Sequence, residues 1–156
     1  MAKELIDSMI YISKEKLEHL NFILKLTKVQ KKYIGKEDML SNDEILDKKD
    51  EIIKKIDVLD REFLIKFSEL KNKCNIDDIN ELNVGEYPNL RELKETIREI
   101  SSTLMAISIL DEENNKVLKK SLEKIKLDLK KLKKGKKAYK GYNKTLDSNI
   151  FIDEKK

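Results

Sequence analysis

The feature that most constrains this chain is how few residues in it can stop a helix. Gly35, Gly85, Gly135, Gly141 and Pro88 are its only glycines and proline. They leave three long stretches in which apolar residues return every three or four positions, the spacing of one helical face and not of a strand. A sheet protein of this size needs many more turn residues and more aromatics than five Tyr, four Phe and no Trp provide. Charged residues make up 41% of the chain and apolar ones 39%, the mixture of helices that bury one stripe and solvate the rest. The expected fold is all-α, an antiparallel, coiled-coil-like bundle of three long helices.

In the first stretch Ile6, Ile10, Leu17, Leu20, Leu24 and Ile34 form a heptad-like row, widened by Met9, Ile12, Ile23 and Leu26. The second has a capping signal at Ser41-Asn42-Asp43-Glu44, then Ile45, Ile52, Ile56, Leu59, Phe63, Phe67 and Leu70 on one face. Glu44/Lys48, Glu51/Lys55, Glu62/Lys66 and Glu69/Lys73 are favourable i,i+4 pairs outside that face. From Lys73 to Asn89 the pattern dissolves, with at most one helical turn over 78–82, until Asn89 offers a new N-cap after Pro88.

The third row runs Leu90, Leu93, Ile97, Ile100, Leu104, Ile107, Leu118, Leu122, Ile125, Leu129 and Leu132. It predicts a helix of about 45 residues ending at Lys134, roughly 68 Å long against about 50 Å for each of its predecessors. Part of it therefore outreaches its partners, and the expected free portion is the C-terminal end. The row breaks at Asp111 and Asn114, where a buried Asn would fix helix register or the stripe simply drifts around the helix. The expected organisation is a helical domain over 1–134 and a mobile basic tail over 135–156, closed by the apolar island Ile150-Phe151-Ile152.

Charge is segregated. From Lys119 to Lys144 twelve Lys face only Glu123 and Asp128, a local +10, so the remainder carries −6 of the total +4. Such a run suits a solvated helix face, an anionic surface or nucleic acid, although the helical part lacks the interleaved aromatics of a single-strand binder. No apolar run reaches the length of a membrane span, no secretory segment follows Met1, and the single Cys74 cannot form an internal disulfide. A reduced, cytoplasmic protein without membrane insertion is expected.

Chemistry finds few candidates. His19 is the only imidazole and Cys74 the only thiol, so neither a Cys/His pair nor a multi-His metal site can be assembled; no catalytic, metal or cofactor residues are expected. Gly35-Lys36 lacks the second glycine and the preceding strand of a phosphate loop. Asn143-Lys144-Thr145 matches a glycosylation acceptor by chance composition.

Taken in order, several segments resemble the FlgN family of flagellar type III export chaperones. The helix from Leu5 to Ile34 is followed by Gly35-Lys36-Glu37-Asp38-Met39-Leu40, similar to the family's short break. Ile45-Leu46, Lys49, Ile52-Ile53, Ile56, Leu59 and Arg61 resemble its apolar pairs around a Lys and a later Arg. Asn114-Asn115 with Val117-Leu118 resembles its Asn-rich turn, and Tyr139, Tyr142 and Ser148 to Asp153 its closing segment in Gram-positive members. The connection from Cys74 to Pro88 is longer than that pattern, and the Lys run denser.

The resemblance implies a non-enzymatic chaperone that shields hook-filament junction proteins before export. Leu118, Leu122, Ile125, Leu129 and Leu132 would then take an amphipathic cargo helix, and Tyr139, Tyr142, Ile150, Phe151 and Ile152 would dock cargo or the export gate. No small-molecule substrate is implied, and a monomer is expected. The alternatives are a homodimeric scaffold that buries the long stripe against its own copy, and an anionic-surface or nucleic-acid binder using the Lys run.

Overall fold

The computed structural model describes the backbone of residues 1–150 and the side chains of residues 1–140. Three long helices account for most of the described chain: α1 (Ala2–Gly35), α2 (Met39–Cys74) and α3 (Leu90–Ile150). No strand is found among the described residues. The all-α bundle expected from the spacing is what the chain forms.

The turn between α1 and α2 is only three residues, which forces the two helices to lie antiparallel. It closes through the Asp38 N–H, which donates to the Tyr33 carbonyl at 2.9 Å, and it places Glu37 at φ 58°, in the left-handed region. Gly35 does not take that conformation. Paired residues confirm the direction: Lys16 meets Asp60 at 2.7 Å near the middle of the two helices, and Gln30 meets Asn42 at 3.1 Å close to the turn.

Helix α2 begins earlier than its sequence suggested. Its N-cap is Asp38, whose Oδ1 accepts from the Ser41 N–H at 3.1 Å and whose Oδ2 accepts from the Ser41 hydroxyl at 2.7 Å. Ser41, read as the cap, lies inside the helix. Two adjacent segments each carry a capping pattern, and the one closer to α1 prevails because the tight turn hands the chain over there. At the other end Asn75 caps α2 in the left-handed conformation at φ 54°, which Asn tolerates well.

The connection from 75 to 89 acts as a lid on one end of the bundle. Its single 3₁₀ turn, Ile79–Glu81, is held by a capping box between Asp78 and Glu81. Leu82 is buried with Ile6, Met9, Ile10, Leu70, Leu90 and Leu93, and Ile76, Ile79, Val84 and Tyr87 pack around that cluster. The length of this connection is therefore explained by the apolar surface it covers.

Helix α3 returns parallel to α1. Asn89 donates to the Lys3 carbonyl and to Asp7 Oδ1, Lys14 pairs with Glu92, and Asn114 reaches Thr27, so partners ascend together along the two helices. Asn89 thus ties two helix starts together. Its own Oδ1 is buried without a partner. A second core cluster joins all three helices through Leu20, Ile23 and Leu26, Ile45, Ile52 and Ile56, and Ile100 and Ile107. Each such aliphatic side chain contributes about 1.5–3 kcal/mol by leaving water.

The fold divides into two compact units, Met1–Asn114 and the part from Asn115 onward. The three-helix bundle is the first of these. Helix α3 does not end at Lys134, as its breakers suggested, but continues through Gly135 and Gly141 to Ile150. Strong helix formers on either side outweigh one glycine, which costs only about 1 kcal/mol relative to alanine.

Candidate partner-binding face

The break at Asp111 and Asn114 is a buried polar layer. Asn114 is 4% exposed, and its Nδ2 donates to the Thr27 carbonyl of α1 at 3.2 Å. Beside it Lys49 of α2 donates to Gln30 Oε1 at 2.8 Å and to Asp111 Oδ1 at 3.1 Å, while Gln30 Nε2 donates to Asn42 Oδ1 at 3.1 Å. Of the two readings of this break, the geometry supports a buried Asn, the kind of residue that can fix helix register.

Three members of the layer escaped the sequence reading: Gln30, Asn42 and Lys49. A signal existed for Lys49, which stands four residues after Ile45 and three before Ile52, a core position on its own helix. Its charge disguised it. Burial of a Lys stem beneath a paired ammonium is unremarkable once acceptors surround the head.

Beyond this layer the stripe of α3 meets water. Leu118 is half-buried, whereas Leu122, Ile125, Leu129 and Leu132 are 58%, 52%, 53% and 65% exposed, and Tyr139 is 63% exposed. All lie in the unit that begins at Asn115, and none of its described side chains is buried. The structure brings Leu118 to Leu132 and Tyr139 onto one helix and one row. The side chains of Tyr142 and Ile150 and the whole of Phe151 and Ile152 lie outside the described residues.

The row also changes phase. Up to Leu118 the inward positions alternate steps of three and four, but Asn114, Leu118 and Leu122 are separated by two successive fours. This is a stutter, the local break in a heptad that unwinds a supercoil. From Leu122 a regular heptad resumes through Ile125, Leu129, Leu132, Lys136 and Tyr139. Two seams with different phases thus share one helix.

The described residues contain no group of three His, Cys, Asp or Glu that could hold a metal ion, and no helix long and apolar enough to cross a membrane. The feature that stands out is an apolar row in water, carried by the part of α3 that follows Asn114. The family model described as FlgN protein matches residues 1–147. The chain belongs to the FlgN family. No curated protein and no solved structure matches it. FlgN proteins are flagellar export chaperones, and the match runs from the first turn of α1 to the last turns of α3, so bundle and exposed row both fall inside it.

Proposed function

We propose that this FlgN protein is a cytoplasmic chaperone for hook-filament junction proteins, holding their aggregation-prone helical ends on the exposed row of α3 until export. The observation that carries the reading is Leu122, Ile125, Leu129 and Leu132 standing in water on a helix with no described partner over that row. Exposed aliphatic rows of this length mark a surface meant to be covered. Leu118 and Tyr139 extend it at either end, and Tyr142, Ile150, Phe151 and Ile152 would add a terminal contact with cargo or with the export gate. The segment 135–156 would serve as that docking tail.

Binding is reversible in this scheme, since a cargo helix that orders on the row offsets part of its binding free energy with lost conformational freedom. No reaction is involved, and no cofactor is needed. Size-exclusion chromatography with light scattering tests it, using the full chain with each junction protein of the same genome. A discrete complex that Leu129→Ser/Leu132→Ser abolishes is expected. Absence of any complex, or a complex indifferent to those substitutions, overturns the reading.

A further inference from the structure

The exposed row has one charged edge. Leu118, Ile125, Leu132 and Tyr139 stand seven residues apart, and the residue after each of them is Lys: Lys119, Lys126, Lys133 and Lys140. All four lysines are exposed. The opposite edge, one residue before Leu122, Leu129 and Lys136, holds Ser121, Asp128 and Gly135. Heptad flanks of this kind choose the partner and its orientation, because their side chains meet across the seam.

This asymmetry argues against a second copy as the occupant. In an antiparallel pair each lysine edge would face the other lysine edge, which is repulsive. In a parallel pair the lysines would face Ser121, Asp128 and Gly135, where a single carboxylate answers four ammonium groups. Neither orientation neutralises the row.

Resting on the docking reading above, we infer that the occupant is an amphipathic helix of another protein with a row of Asp or Glu along the edge that meets Lys119, Lys126, Lys133 and Lys140. Lys136 refines the match. It takes a core position between Leu132 and Tyr139, and a polar residue at one core position sets register. The cargo helix therefore carries an acidic residue in the layer opposite Lys136, near one end of its apolar stripe. Apolar contact supplies most of the affinity, and the lysine edge supplies discrimination and a faster encounter.

The test uses the full chain and two synthetic four-heptad helices with the same Leu core, one with Glu and one with Lys at every edge position. Fluorescence anisotropy is expected to show the acidic helix binding about tenfold more tightly, with the gap narrowing as salt is raised. Lys126→Glu/Lys133→Glu/Lys140→Glu reverses the preference. Lys124→Glu/Lys131→Glu/Lys134→Glu, the same charge change away from the seam, keeps it, and circular dichroism checks that both variants remain helical. Equal behaviour of the two triple variants, or no preference between the helices, overturns the inference. A wild-type homodimer that Leu129→Ser/Leu132→Ser breaks overturns it too. If the acidic preference holds while no junction protein binds, the inference stands and the cargo reading fails.

Discussion

Lys49 of α2 donates to Asp111 of α3 across 3.1 Å while the same ammonium donates to Gln30 of α1 at 2.8 Å, so one side chain links all three helices. The Asp111 carboxylate is 44% exposed, whereas the Lys49 side chain is only 9% exposed, so the two partners differ in what their loss would cost. Lys49→Ala strands the buried Gln30 Oε1 and removes the packed stem. A loss of about 1–3 kcal/mol is expected from urea unfolding. Asp111→Asn, at the wetter end, is expected to cost less than about 1 kcal/mol. Equal costs for the two would show that the buried acceptor does not matter.

The start of α2 responds to acid. Asp38 accepts from the Ser41 hydroxyl and then from the Ser41 N–H, and these bonds to its ionised form hold its carboxyl below the usual 3.8. A carboxyl depressed in the folded state adds stability that is complete above its unfolded value and disappears as pH falls through the folded one. Asp38→Asn keeps a capping oxygen but no longer titrates. Its urea midpoint is expected to fall less than that of the wild type between about pH 5 and pH 2. Parallel curves for the two proteins would remove Asp38 from the acid response.

Much of this architecture was legible because burial and periodicity are the same signal. Ile6, Ile10, Leu20, Ile45, Ile52, Ile56, Ile100 and Ile107 recur at helical spacing and are all buried. Element ends were less legible. Ser41 and Asp38 both present capping chemistry within three residues of each other, and only the tight turn decides between them. Gly135 reads as a stop, yet a single glycine is a small penalty inside a long run of Leu and Lys. The polar layer was half visible, since Asp111 and Asn114 interrupt an apolar row, whereas Gln30 and Asn42 look like surface residues until the helices are packed. No local pattern reports which polar residues will meet across helices.

Asn114 is expected to give helix register at some expense in stability. The Thr27 carbonyl that it reaches already lies within the α1 backbone ladder, so removing the amide leaves no stranded buried acceptor. Asn114→Leu is expected to raise the urea midpoint, by about 1 kcal/mol in stability. It is also expected to give broader lines in amide NMR spectra around Thr27 and Asn114, as neighbouring registers become accessible. A lower midpoint would mean that the Asn contributes net stability.

Gly135 stands in a helix where a methyl group would meet nothing within 4 Å. With the backbone already helical, Gly135→Ala removes only the conformational freedom of the unfolded segment. Slower amide exchange over 130–140 is expected, equivalent to about 0.5–1 kcal/mol of local stabilisation, together with a small gain in circular dichroism helicity. Unchanged exchange would argue against a continuous helix through this position.

The exposed row separates function from folding. Leu129 and Leu132 are more than half exposed, so replacing both with Ser removes little buried area and is expected to change unfolding stability by less than about 1 kcal/mol. The same change removes two apolar side chains from the centre of the docking face, where truncation typically costs about 1–3 kcal/mol each, so cargo affinity should fall at least about tenfold. Ile52→Ser provides the contrast, because Ile52 is 8% exposed in the bundle core and its loss should unfold the protein and weaken binding together. Measured side by side, a double variant that stays folded yet releases its cargo places recognition on α3 beyond Asn114. One that loses stability in step with binding would assign those leucines to packing instead.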